Sequence, residues 1–359
     1  MSHFTKILLS ASALALVSTT ASAGSAPELR IENFIGTIDV KTGDYDKITV
    51  TNADGASYDT NGSSVVIDDE QTIRNVNCKQ SNMSVKISVG SWNYRKRKGG
   101  YKNLDTYPHI KITAPTGTHL VIDKAVIFGD IGTISSADVS MVSCGDLEFA
   151  DIIGAFNLGI SGSGDVTVGN TGALNVAIAG SGDVTADNVA SAQISVAGSG
   201  DIEIASVDGL VDISSAGSGD IDIGDVNGRF EYNGAGSGDL EIGDIQGVAN
   251  IRSGGSGDVD IERIENDLKY IGGGSGDFEA DYVGGAALSV RVGGSGTVDI
   301  DGGDVDSLYV KVGGSGSVHY DGKSVDAELI TRGSGSIVVQ DPSGQLRKSK
   351  SGSGSIRVR

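Results

Sequence analysis

Aspartates recur at one position of a repeated motif and are the first candidates for chemistry. Each follows a Gly-Ser-Gly triplet, at a spacing of 18 or 19 residues: Asp165, Asp183, Asp201, Asp220, Asp239, Asp258 and Asp277. Stacked carboxylates could bridge Ca²⁺ ions, or each could accept backbone N–H groups in an Asx-type turn. Later repeats place Thr297, Ser317, Ser336 and Ser355 there, which keep a side-chain oxygen and lose the charge. We therefore predict a corner-capping ladder, assign no metal or cofactor, and keep Ca²⁺ as the alternative.

A second row of acids lies two residues further on and comprises Glu203, Asp222, Glu241, Asp260, Glu279 and Asp299. Pairs of carboxylates can hydrolyse glycosidic bonds, but a catalytic pair needs a distinctive local setting, and this row merely repeats. The three histidines beyond the N-terminal segment, His109, His119 and His319, match no nucleophile or metal motif. We interpret the row as a solvated acidic face and assign no catalytic residue.

One basic, aromatic segment interrupts the acidic sequence. It contains Trp92, Tyr94, Arg95, Lys96, Arg97, Lys98, Tyr101 and Lys102. Its cations could attract an anionic partner such as a phosphorylated glycan or a lipid headgroup, and its aromatic rings could stack on sugars. The same cations could instead fold onto the acidic surface of the protein itself. Both interpretations remain open.

Cys78 and Cys144 are the two cysteines of the chain. In an exported protein they could form a disulfide, and two buried free thiols are the alternative. Two cysteines are too few for a tetrahedral metal site.

The N-terminus resembles a secretory signal. Lys6 precedes an apolar stretch at residues 7–17, which is too short to span a bilayer, and Ala21 and Ala23 fit the small-residue cleavage pattern. We expect residues 1–23 to be removed and no transmembrane segment to follow. Loss of Lys6 changes the net charge from −20 to −21, which argues against nucleic acid as a general partner. The mature chain is expected in the periplasm or at the cell exterior.

The repeat itself predicts the fold. Gly-Ser-Gly begins at Gly162, Gly180, Gly198, Gly217, Gly236, Gly255, Gly274, Gly294, Gly314, Gly333 and Gly352, and an imperfect copy lies at residues 143–146. Apolar and polar residues alternate before and after each triplet, as at residues 201–204 and 220–223, which is typical of half-buried strands. A single coil cannot bury its own apolar face, whereas stacked identical coils can. We predict an all-β fold, a β-solenoid (parallel β-helix) with about nineteen residues per coil.

Residues 24–142 alternate less regularly and are interrupted by insertions. Terminal repeats must be atypical to end a stack. We therefore divide the chain into a signal peptide (1–23), a β-rich N-terminal cap with degenerate first coils (24–142) and a regular Gly-Ser-Gly solenoid (143–359).

The recurring Gly-Ser-Gly-Asp followed by a short alternating strand resembles the bacterial auto-transporter adhesin head (GIN) domain family and related β-helical adhesin families. The resemblance covers residues 30–358 and names no active site. It implies an adhesin-like role. Since no catalytic motif is present, we expect a non-catalytic interaction protein of the cell envelope or exterior with an unidentified envelope or surface ligand, and the basic, aromatic segment makes an anionic glycan the candidate. A structural or Ca²⁺-binding periplasmic rod is the first alternative, and a glycan-active enzyme is the second.

Overall fold

The computed structural model describes residues 26–69, 73, 76–81, 84–89 and 100–359. The expected signal segment and residues 92–98 of the basic segment lie outside the described residues.

The N-terminal part of the chain forms ten strands and a short 3-10 helix, Leu104–Thr106. The strands are β1 (Glu28–Glu32), β2 (Ile35–Gly43), β3 (Thr49–Asn52), β4 (Tyr58–Asn61), β5 (Ser64–Asp68), β6 (Val76–Ser81), β7 (Ser84–Val89), β8 (Lys102–Asn103), β9 (His109–Pro115) and β10 (His119–Ile131).

The remainder of the chain is a succession of strands separated by tight corners. They are β11 (Ser136–Met141), β12 (Cys144–Phe149), β13 (Phe156–Ile160), β14 (Ser163–Val168), β15 (Thr171–Ile178), β16 (Val184–Val196), β17 (Ile202–Val207), β18 (Val211–Ser215), β19 (Ile221–Val226), β20 (Phe230–Gly234), β21 (Leu240–Ile245), β22 (Ala249–Ser253), β23 (Val259–Ile264), β24 (Leu268–Gly272), β25 (Phe278–Val283), β26 (Ala287–Val292), β27 (Thr297–Ile300), β28 (Asp304–Val312), β29 (Ser317–Tyr320), β30 (Lys323–Thr331), β31 (Ser336–Val339), β32 (Leu346–Lys350) and β33 (Ser355–Val358).

Each strand of the repeat pairs in parallel with the equivalent strand of the neighbouring coils. After the triplet, Ile202 of β17 lies opposite Ile221 of β19, which lies opposite Leu240 of β21. Before the triplet, Val211 of β18 lies opposite Phe230 of β20 in the same way. The register therefore advances by one repeat per coil, and the predicted parallel β-solenoid with about nineteen residues per coil is confirmed.

The core follows from the alternation within each strand. In β19, Ile221, Ile223 and Val226 are buried, whereas Asp222 and Asp225 face solvent. Stacking repeats this pattern, so that apolar residues form continuous inward rows along the whole solenoid. Burial of one such side chain contributes about 1.5–3 kcal/mol, and one coil alone could not exclude water from it.

The first position of each Gly-Ser-Gly triplet requires glycine because successive corners approach each other closely. A Cβ at Gly236 would overlap the carbonyl oxygen of Gly217, and one at Gly255 would overlap that of Gly236. None of these three glycines has a positive φ. Backbone contact between coils, rather than a left-handed conformation, therefore fixes glycine at this corner.

The N-terminal region is less regular, as expected. β1 and β2 form one coil that pairs with β10, while β5 and β9 pair with β1 and β2 on the other side. Beyond them, β3 and β4 pair antiparallel with β9 and β5. This change of direction ends the parallel stack. A separate antiparallel sheet, β6-β7-β8, lies against one flank.

Candidate functional site

The corner aspartates form a ladder of hydrogen bonds between coils. The backbone N–H of Asp239 donates to Oδ1 of Asp220 at 2.8 Å, and that of Asp220 donates to Oδ1 of Asp201 at 2.8 Å. The same bond recurs from Asp165 to Asp277, whose Oδ1 accepts the N–H of Thr297. These bonds connect one coil to the next, whereas an Asx-type turn would close within a single corner. Each carboxylate thus satisfies a backbone donor that the sharp corner leaves outside the strand ladder.

Stacking of carboxylates carries an electrostatic cost. Desolvation by burial, followed by the charge of Asp183, raises the pKa of Asp165, although the N–H bond from Asp183 opposes the shift. Burial likewise raises the pKa of Asp146, with further contributions from Asp165 and Glu148. Among the described residues, no group of three or more His, Cys, Asp or Glu side chains is arranged to hold a metal ion. In the ladder itself, each carboxylate oxygen accepts a backbone N–H from the next coil.

The second acidic row runs beside the ladder on outward positions of the strands after the triplet. Glu203 lies opposite Asp222, and Asp222 lies opposite Glu241. The row ends at His319, whose Nδ1 is 3.2 Å from Oδ1 of Asp299. Its Nε2 is 3.1 Å from Oδ1 of Asp321. Two carboxylates thus flank one imidazole at the end of the row.

His119 takes part in a Ser-His-Asp arrangement that sequence reasoning missed. Its Nδ1 is 2.8 Å from Oγ of Ser136, and its Nε2 is 3.4 Å from Oδ2 of Asp138. The three residues are separated along the chain and meet because β10 pairs with β11. Serine hydrolysis also needs preorganised donors for the oxyanion, and the backbone around Ser136 is engaged in the ladders with β10 and β13. The three side chains form a polar cluster on the sheet surface.

Cys78 in β6 and Cys144 in β12 are joined by a disulfide; their Cα atoms are 6.3 Å apart, and the two residues are 66 positions apart in the sequence. Of the two alternatives that the sequence left open, a disulfide and two free thiols, the structure has the disulfide. The bond ties the side sheet β6-β7-β8 to the solenoid flank. Closing a loop of this length stabilises a fold by about 4 kcal/mol in the chain-entropy model.

A second small core lies beneath the side sheet. Ile87 of the side sheet packs against Ile35, Val126 and Phe128, which point outward from the solenoid. Four consecutive residues of β10, at positions 125–128, are therefore buried, because both faces of the strand are covered there.

The described end of the basic, aromatic segment lies at this side sheet. Tyr101 is 42% exposed, and Nζ of Lys79 lies 4.6 Å from the centre of its ring. Nζ of Lys102 lies 5.9 Å from the ring centre of Tyr107. Within the described residues, the ion pairs involve neither lysine. Trp92, Tyr94 and residues 95–98 lie outside the described part of the chain.

A cationic surface on the strands before the triplet also escaped the sequence reasoning. Arg252, Lys269, Arg291 and Lys311 occupy outward positions of β22, β24, β26 and β28. No single repeat shows the pattern, because neighbouring coils carry different residues there. Aligning the repeats and comparing outward positions down each column would have revealed it.

The chain is a repeat β-solenoid of stacked coils with glycine corners. Its rows of polar and charged side chains lie on the outer faces of the solenoid. The chain belongs to the family described as "Putative auto-transporter adhesin, head GIN domain", whose model matches residues 38–226 and 244–359. No curated protein and no solved structure matched the chain in the parallel comparisons. In the described residues, no helix has the length and apolar character needed to cross a membrane.

Proposed function

We propose that this chain is an exported, non-catalytic interaction protein of the cell envelope or cell exterior, with an adhesin-like role. The observation that carries the proposal is the Cys78–Cys144 disulfide, which anchors an insertion bearing a basic, aromatic segment to the flank of an acidic solenoid. Disulfides persist in oxidising compartments, which supports export. Membership of the adhesin-head family supports a binding role.

Location is tested by labelling intact cells that produce the full chain. We expect the chain to react with a membrane-impermeant amine reagent, or to be released with the periplasmic fraction, and to begin at Gly24 in intact-mass measurement. It should contain no free thiol. A cytoplasmic product that retains residues 1–23 and two reactive cysteines would contradict the proposal.

The insertion is the proposed contact with an anionic envelope glycan. Lys79 and Lys102 support this role, because their ammonium groups lie beside the rings of Tyr101 and Tyr107 and take part in no ion pair among the described residues. Cations over an aromatic platform suit a ligand that combines charged groups with sugar rings.

Replacement of residues 95–98 by serine tests this contact. We expect an unchanged melting temperature and lost retention on anionic glycan. The matched control replaces the exposed Lys41, Lys47, Lys111 and Lys124 by serine, which removes the same charge elsewhere. Equal loss of retention in both variants would reduce the effect to net charge and contradict a contact at the insertion.

A further inference from the structure

Four cations lie close together on one face of the solenoid, far along the chain from the insertion. Arg252, Ile271, Arg291 and Lys311 follow one another in a single cross-strand row. Lys269 stands two residues before Ile271 on the same strand and faces the same way. Coils repeat at about 4.8 Å, so Arg252 and Lys311 are separated by about 14 Å along the axis. We name these four cations the cation row.

The cation row has no internal counterions. None of its members takes part in an ion pair among the described residues. Elsewhere on the solenoid, arginines bond to a glutamate two residues further on: Arg229 to Glu231 at 2.9 Å, and Arg263 to Glu265 at 3.4 Å. The row therefore leaves charge available on a protein whose overall charge is strongly negative.

Two of the cations are held in place by neutral neighbours. Nη1 of Arg291 donates to Oγ of Ser289 at 3.0 Å, and its guanidinium lies 4.7 Å from the ring centre of Tyr309. Nη1 of Arg252 donates to Oδ1 of Asn233 at 3.4 Å. Contacts of this kind fix the side chains without neutralising them, which lowers the entropy lost when an anion binds.

A shallow, nearly flat groove of about 700 Å³ runs along the Gly-Ser-Gly corner, over the coils that carry the cation row. Its walls are glycine backbone and exposed serines such as Ser275 and Ser295. Arg252 and Arg291 each precede a groove glycine by two residues, Gly254 and Gly293. The serine hydroxyl groups of the groove and the cation row thus extend over the same coils.

We infer that the groove and the cation row form a second binding site, for a linear acidic polysaccharide. Sugar hydroxyls would exchange hydrogen bonds with the serines and glycine backbone, and carboxylate or sulfate groups would meet the guanidinium forks of Arg252 and Arg291. The half-exposed ring of Tyr309 offers a surface for a sugar ring. The site is independent of the insertion and shares with the proposed function only its class of ligand.

The dimensions and surroundings favour a single sugar chain over other polyanions. The cations occupy two outward columns of the face, Lys269 in one and the other three in the next, about 7 Å apart along the strand direction. Across the corner lie the aspartate ladder and the row of Glu241, Asp260 and Glu279, which repel any broad polyanion such as a nucleic acid duplex. A lipid surface would require apolar anchors beside the cations, whereas Ile271 is only half-exposed.

The test measures retention of the full chain on immobilised polygalacturonate and dextran sulfate. Arg252→Gln with Arg291→Gln removes two free cations, and the matched control, Arg229→Gln with Arg263→Gln, removes two paired ones. We expect about tenfold weaker binding for the first variant and a change within about twofold for the second. Ser275→Leu should also weaken binding, because it fills the groove without altering charge.

Melting temperatures confirm that each variant is folded. Equal losses in the two double variants, full binding by Ser275→Leu, or no retention of the wild-type chain on either polymer would overturn the inference. Tighter binding to duplex DNA or to phosphatidylglycerol vesicles than to both polysaccharides would also overturn it. Surface labelling of intact cells would be untouched by such results, and the variant at residues 95–98 is tested on anionic envelope glycan rather than on these two polymers, so the proposed function fails or stands separately.

Discussion

Replacing Asp220 by asparagine and by alanine separates the two roles open to the corner aspartates. Oδ1 of Asp220 accepts the N–H of Asp239, and the N–H of Asp220 donates to Asp201. Asparagine keeps an amide oxygen for the acceptor bond and loses the charge. Alanine loses both. A bridging cation would need the charge, whereas a backbone cap needs only the oxygen.

The magnitude follows from the spacing of the ladder. Charges about 4.8 Å apart repel by roughly 0.9 kcal/mol in water, and screening at physiological salt reduces this to about 0.5 kcal/mol. Asp220 has a neighbour on each side, so Asp220→Asn should raise the free energy of unfolding by up to about 1 kcal/mol. Loss of the acceptor costs about 1 kcal/mol, so Asp220→Ala should be less stable than Asp220→Asn by about that amount.

Urea unfolding at low and high salt provides the assay. The advantage of Asp220→Asn over the wild-type chain should shrink as salt increases, while the difference between the two variants should persist. An asparagine variant as unstable as the alanine variant would refute capping, as would calorimetric titration showing several tight Ca²⁺ sites with a large gain in melting temperature.

Three further substitutions test the core, the corner and the buried tyrosines. Ile221→Asp places a charge in an inward row and should lower the free energy of unfolding by more than about 3 kcal/mol. The outward Asp222→Asn should leave the melting temperature within about 2 °C of the wild-type value. Equal melting curves for the two variants would contradict the placement of Ile221 in the core. Gly236→Ala drives a methyl group into the preceding coil and should lower the free energy of unfolding, measured in urea, by about 1–3 kcal/mol. Gly273→Ala, whose Cβ meets nothing closer than 4.0 Å, should be nearly neutral, and the reverse order of stabilities would contradict the corner packing. Burial, assisted by nearby aspartates, raises the pKa of Tyr270 to about 12. The unfolded chain therefore loses this proton first, and the free energy of unfolding falls as pH rises from about 10 towards 12, by up to about 2.7 kcal/mol. Tyr270→Phe should weaken that alkaline loss in urea unfolding, and an identical loss in the variant would show that another group causes it.

Much of the fold could be predicted from the sequence, because the same pattern recurs in every repeat and supports the same prediction each time. The alternation at Ile221 and Ile223 recurs at the same offset from every triplet, and a period of two together with a fixed coil length leaves few ways to bury the apolar residues. The glycine corner was equally predictable, although its cause is contact between coils rather than a positive φ.

Features that depend on contacts across the fold were harder to predict. The outward apolar residues Val126 and Phe128 make sense only once the side sheet covers them. The direction of the Asp220 hydrogen bond depends on how one corner sits over the next. The cation row stayed hidden because Arg252 and Arg291 lie in different repeats and become neighbours only through stacking.

Incubating the exported chain with an array of acidic and neutral glycans, and measuring both bound protein and released reducing ends, tests the proposed function most directly. We predict retention on acidic glycans with no release of reducing ends. Release of reducing ends from any glycan that retains the protein would contradict a non-catalytic interaction protein.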